Sequence, residues 1–305
     1  KYNFHIVIIF SFLFFSCEKG EKNTYKQSSS SDSLAIYLSS SKNENFSSAQ
    51  RLKFNKKAFL ILSNSENDSI NRNNLFNVAF GFRALGNKIE LRRTISQILD
   101  KSEQAKDSLN IARSYNLLGT YNLELGINDS AFYYLSKSEK LFSKLKDSSS
   151  LGQNYIDKAF SQMYEGDYTG GEQSAFKALE YLKNEKNGFR FYDAYNIIGI
   201  SSNELKDYDN AIIYHTKALQ TTRENNFPIE YHFGANSLNN IGVVYQYQNK
   251  YKEAISQFQL ALQEKDLLKD NPSLYSMIVD NLAYSKFKLK DYNGLPELFH
   301  HALKI

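Results

Sequence analysis

Apolar residues in Ser237–Leu262 fall on two helical stripes. Leu238, Ile241, Gly242 and Tyr245 lie at spacings of three, four and seven, one face of an α-helix. Tyr251, Ala254, Phe258 and Ala261 lie at three, seven and ten, again one face. The polar stretch Gln246–Lys250 between them predicts a turn. Small residues at Gly242 and Ala254 are expected to face each other across this hairpin, since helix axes approach to about 8 Å only where small side chains occupy the crossing. A large ring, Tyr245 or Phe258, is expected beside each.

The pattern recurs. The Gly242 slot is matched by Ala79, Gly119, Ala159, Gly199 and Ala283, at steps of 40, 40, 40, 43 and 41. Twelve residues further on stand Leu91, Ala131, Gly171, Ala211, Ala254 and Leu295, and nineteen further on Ile98, Ser138, Ala178, Ala218, Ala261 and Ala302. Gly86, Gly126 and Gly166 share a turn slot, and Tyr168, Tyr208, Tyr251 and Tyr292 share the next aromatic one. Asn45–Ala49 echoes Asp207–Ala211 and predicts a weaker unit near the start. Polar stretches at 63–73, 101–110, 146–151, 184–190, 224–232 and 269–273 predict turns between hairpins.

The succession of Leu/Ile-Gly, Tyr, Ala, Phe and Ala resembles the tetratricopeptide repeat. Tyr115, Tyr155 and Tyr195 stand where that family prefers Trp, Lys158 stands where Leu is expected, and the proline after the second helix is missing. The period exceeds the family's 34 or so and is nearer to kinesin light chains and bacterial peptide-pheromone receptors. The resemblance implies an all-α fold: an α-solenoid of about six to seven helix hairpins over residues 34–305, wound as a right-handed superhelix, each unit touching its neighbours. Such arrays end in a capping helix with a polar outer face. None follows Ile305, so Val279, Leu282, Leu298 and Phe299 are expected to be exposed and the natural chain to continue.

Composition adds a compartment. Ile6–Phe15 is almost purely apolar, too short to span a membrane, and it ends at Ser16 and Cys17, the chain's one cysteine. This resembles a bacterial lipoprotein signal, with Phe14 bulkier than the usual Leu. Residues 1–16 would be the signal peptide, Cys17 the lipidated first residue, and 17–33 a flexible Ser-rich tether. The implied localisation is export to the cell envelope, anchored in a membrane and facing the periplasm or the surface. A lone cysteine excludes an internal disulfide, so helix packing must hold the fold. Formal charge is +4 with acidic and basic residues interleaved, which argues against a nucleic-acid partner. Arg51, Lys53, Lys56 and Lys57 read as a solvated helix face, with phospholipid headgroups as the alternative.

No catalytic, cofactor-binding or metal-binding constellation is evident, so the protein reads as non-enzymatic. His300 and His301 are adjacent and point apart on a helix, Gly166–Gly171 lacks the P-loop lysine, and His215 fills a slot that is normally aromatic and reads as a core residue. The recurring polar feature lies on the first helices. Asn116, Asn196, Asn239 and Asp280 stand three before the crossing, and Asn77, Asp157, Asn240 and Asn281 two before it. In the resembled fold this face lines the concave groove, where amides can hydrogen-bond an extended backbone. Asn116, Asn196, Asn239, Asn240, Asp280 and Asn281 are therefore the candidate peptide-binding residues. The expected function is a membrane-tethered scaffold for a protein or peptide ligand, the sensory or adaptor part of a bacterial signalling protein of the histidine-kinase or helix-turn-helix type. The alternative is a self-contained structural or assembly lipoprotein that forms a homodimer through its C-terminal repeat.

Overall fold

The structure, a computed structural model, describes residues 30–302. The signal segment 1–16, Cys17 and most of the 17–33 tether lie outside the described residues, as does the Phe299 side chain. The described chain is helical throughout, with no strand, and divides into two compact units after Asp157. In the first unit, α1 (Ser30–Lys42) pairs with α2 (Ser48–Ser63), α3 (Ser69–Ala84) with α4 (Lys88–Gln104), and α5 (Ser108–Glu124) with α6 (Asn128–Leu145). The boundary falls inside α7 (Ser148–Tyr164). In the second unit, α8 (Tyr168–Leu182) precedes the pairs α9 (Gly188–Glu204) with α10 (Tyr208–Glu224) and α11 (Phe233–Tyr247) with α12 (Tyr251–Ala261). A short α13 (Leu267–Asp270) leads into α14 (Pro272–Lys288) and α15 (Leu295–Ala302). Each unit is a stack of helix hairpins of tetratricopeptide type. We call α1, α3, α5, α7, α9, α11 and α14 first helices, and their partners second helices.

The crossing slots are buried throughout the repeats, and the glycines there are close-approach sites. A Cβ on Gly242 would sit 2.5 Å from the Phe258 ring, one on Gly119 2.6 Å from Leu135, and one on Gly199 2.7 Å from the His215 ring. The main opposing group is thus the side chain sixteen residues on, not the Ala254 slot expected at Gly242. The slot twelve residues on still lies alongside: a Cβ at Gly119 would be 3.3 Å from the Ala131 carbonyl oxygen. Phe258 and His215 are both fully enclosed, so a ring fills the space that each glycine leaves.

Six of the hairpin turns are alike to the hydrogen bond. Gly126 N–H donates to the Leu123 carbonyl and Ile127 N–H to Asn122, a Schellman closure. The same pair of bonds recurs around Gly86, Gly166, Lys206, Asn249 and Lys290, and all six residues take φ between 59° and 80°. At every one of these turns but Lys290, the residue after the left-handed one is the N-cap of the next helix. Asp167 and Asp207 fill that place, and each carboxylate accepts the backbone N–H three residues on, a cap that stabilises by about 1 kcal/mol.

Departures from the expected register have local causes. The echo at Asn45–Ala49 places the start of α2 two residues early. Ser47 and Gln50 form a reciprocal capping box, so Ala49 lies exposed on the first turn and Asn55, Ala58, Phe59 and Leu62 face the core. Most of the polar connectors are shorter than expected, because a neighbouring helix takes in one or both of their ends. The 43-residue step is taken up by Pro228 and a 3-10 turn at Ile229–Tyr231. That turn is held by stacked Phe189 and Phe227 at 4.1 Å and by His232, whose Nδ1 lies 3.0 Å from Glu264 Oε2. Val279 and Leu282, expected at an exposed end, are buried: α15 folds back on α14 and places Leu295 and Leu298 in that end of the core. The apolar face on which the dimer alternative rested is thereby covered at those two residues.

Candidate functional site

The two polar slots meet between neighbouring first helices. A residue three before the crossing on one helix abuts a residue two before the crossing on the next. In the first unit, Asn116 Nδ2 donates to Asp157 Oδ2 at 2.8 Å, and Asn116 Oδ1 accepts from Asn154 Nδ2 at 2.7 Å. Lys42 Nζ donates to Asn77 Oδ1 at 3.3 Å. In the second unit, Asn240 Nδ2 donates to Asn196 Oδ1 at 2.9 Å, and Asn281 Nδ2 to Asn239 Oδ1 at 2.9 Å. The six candidate residues thus divide by role. Asn196 and Asn239 are buried and hold their partners. Asn116, Asn240 and Asn281 are half-buried, and Asp280 is exposed and makes no bond to these amides. An amide has two N–H donors and two lone pairs, so the half-buried members keep hydrogen-bonding capacity toward the solvent side.

Beside the Asn196–Asn240 pair lies a cavity of about 20 Å³, lined among others by Asn203, Glu204, His215, Asn240 and Tyr247. That is room for one water. Burial lowers the pKa of His215 to about 3, so its ring is neutral, and its Nδ1 and the Asn203 Oδ1 have no hydrogen-bond partner. Burial raises the carboxyl pKa of Glu204 and that of Asp280. The Tyr208 ring lies parallel to Tyr247 at 6.2 Å and 14°. Burial, with the Glu204 charge nearby, raises the phenol pKa of both Tyr168 and Tyr247. Of this cluster, Asn240, the recurrence of Tyr168 and Tyr208, and the core placement of His215 were visible from periodicity; Asn203, Glu204 and Tyr247 were not.

Among the described residues, no group of three or more His, Cys, Asp or Glu could hold a metal ion, and no helix is long and apolar enough to cross a membrane. Residues 191–263, the two hairpins that carry the cavity and its amides, match the tetratricopeptide repeat family. No curated protein sequence matches the chain. Solved structures share the fold over most of its length. The apo form of RapI is 19% identical with a TM-score of 0.67, over 90% of this chain and 75% of that one. The apo form of the quorum sensor NprR from B. thuringiensis is 15% identical with a TM-score of 0.65, over 90% and 75%. A Rap protein complexed with Competence and Sporulation Factor is 17% identical with a TM-score of 0.63, over 90% and 76%.

Proposed function

We propose that this protein is a non-enzymatic scaffold that binds an extended protein or peptide segment along the first-helix face of residues 158–302. The observation that carries the reading is the recurrence of amide pairs one first helix apart, Asn196–Asn240 and then Asn239–Asn281. Packed helices lie about 8–10 Å apart, and an extended chain rises about 3.3 Å per residue. Successive pairs therefore lie a few residues apart along an extended chain, whose peptide groups supply donors and acceptors to the free edges of the amides. The Rap complex with its factor supports this use of the fold.

The scaffold acts as the sensory or adaptor part of an envelope signalling protein, held by acyl chains on Cys17 and paired with a histidine-kinase or helix-turn-helix output. Support comes from the apolar run Ile6–Phe15 before Ser16–Cys17 and from the quorum-sensor role of NprR. Two tests separate these parts. In a panel of extended peptides, binding should be lost on Asn240→Ala plus Asn281→Ala with helicity intact; equal binding by the double variant contradicts the amide site. Growth of the full chain in a bacterium with radiolabelled palmitate should label the wild type and not Cys17→Ser; an unlabelled wild type contradicts the anchor.

A further inference from the structure

The position five residues after the crossing is Glu124 in one repeat and Glu204 two repeats later. Glu124 is paired: Arg83 Nε, from the preceding first helix, donates to its Oε1, and both side chains are largely enclosed. The position matching Arg83 in the helix before Glu204 is Met163. No lysine or arginine among the described residues pairs with Glu204, and burial is what raises its pKa. The same carboxylate therefore has a guanidinium in one repeat and none in the other.

What surrounds Glu204 suits that missing group. Glu204 and Tyr247 line one cavity with Asn240, and Tyr208 stacks on Tyr247. Asn203 and His215 are buried, so their unpartnered atoms can be met only by the one water that the cavity holds, whereas Tyr247 is exposed and Glu204 half-buried, so a guanidinium can reach those two from solvent. A guanidinium has five N–H donors and no acceptor, is planar, and pairs with a carboxylate while lying on an aromatic face. An ammonium is a compact, strongly hydrated point charge that gains less from flat rings.

We propose that Glu204, with the rings of Tyr247, Tyr208 and Tyr168 beside it, receives an arginine side chain of the segment bound in the groove. This rests on the groove reading, since Asn240 belongs both to the amide row and to the cavity wall. The subsite would fix the register of the segment, because only one placement puts its arginine beside Glu204.

The test uses the full chain and three small probes, the Nα-acetyl amides of arginine, citrulline and lysine, titrated by calorimetry. Citrulline keeps the shape of arginine without the charge. The arginine probe should bind about tenfold tighter than citrulline, as expected for a hydrogen bond to a charged group, and tighter than lysine. Its affinity should climb with pH as Glu204 ionises. Glu204→Gln should erase the preference over citrulline with the melting temperature kept or raised, and Tyr247→Phe, which retains the ring, should preserve it. Equal binding of arginine and citrulline, or a preference that survives Glu204→Gln, overturns the proposal. Peptides that bind without regard to arginine remove this subsite and leave the groove. Capture of the arginine probe at Glu204 with no peptide binding leaves the subsite and removes the groove.

Discussion

Gly242→Ala adds one methyl at the most crowded point of the α11–α12 hairpin. That Cβ would lie 2.5, 2.7 and 2.9 Å from three atoms of the Phe258 ring, and the ring is fully buried. The ring cannot swing outward, because Ala254, Ala261 and Ile278 belong to the same core. Overpacking of this kind costs about 1–3 kcal/mol. In an uncrowded helix interior, Gly→Ala stabilises by about 1 kcal/mol. The single variant should therefore be destabilised by up to about 2 kcal/mol, the difference of the two terms. Phe258→Ala removes the side chain that the methyl strikes, so in that background Gly242→Ala should stabilise by about 1 kcal/mol. The cycle yields a favourable coupling of about 1–3 kcal/mol between the substitutions. Urea unfolding followed by circular dichroism on all four proteins measures it. A Gly242→Ala effect that is stabilising and equal in both backgrounds would refute the ring-on-glycine crossing.

Two further perturbations probe the same scaffold. Burial lowers the pKa of His215 to about 3, against about 6.5 in the unfolded chain. Only the unfolded chain takes up this proton between those values, so His215 costs stability as pH falls below about 6.5, by up to about 1.4 kcal/mol per pH unit. His215→Phe reproduces the pairing of Phe258 with Gly242 and should remove that slope; identical losses between pH 7 and pH 5 in both proteins would contradict it. At the turns, Lys206 holds φ 66°, which costs a side-chain-bearing residue about 1–2 kcal/mol. Lys206→Gly should raise the melting temperature, and Gly86→Ala, where the added methyl meets nothing within 4 Å, should lower it through backbone strain alone. Shifts of the same sign in both variants would contradict this account of the turn slot.

Periodicity exposed the skeleton because the requirement at each crossing is steric and recurs at an almost constant step. Ala79, Gly119, Ala159, Gly199, Gly242 and Ala283 are all buried where that spacing put them. The polar stretch Gln246–Lys250 marked a turn, but the left-handed residue itself was legible only where it is a glycine. Lys206, Asn249 and Lys290 carry the same left-handed backbone, and no residue type announces a strain that Schellman bonds hold in place. Ala49 misled because side chains at a helix start decide the register, and the Ser47–Gln50 box outweighs a resemblance to Asp207–Ala211. Val279 and Leu282 misled because a short helix after them was enough to cover them.

The candidate site divides in the same way. The asparagine rows were visible as rows, whereas their pairing one helix to the next is a tertiary fact, and so is the burial that separates Asn196 and Asn239 from Asn240 and Asn281. Glu204 stands out only when its neighbours are compared with those of Glu124, whose arginine lies 41 residues earlier in the chain.

Hydrogen–deuterium exchange on the full chain, with and without a peptide chosen from the panel, addresses the groove directly. Slowed exchange at α9, α11 and α14, with α10 and α12 unchanged, is the expected outcome, because the amide pairs lie on the first helices. Slowing confined to the second helices, or spread evenly over both sets, would contradict it.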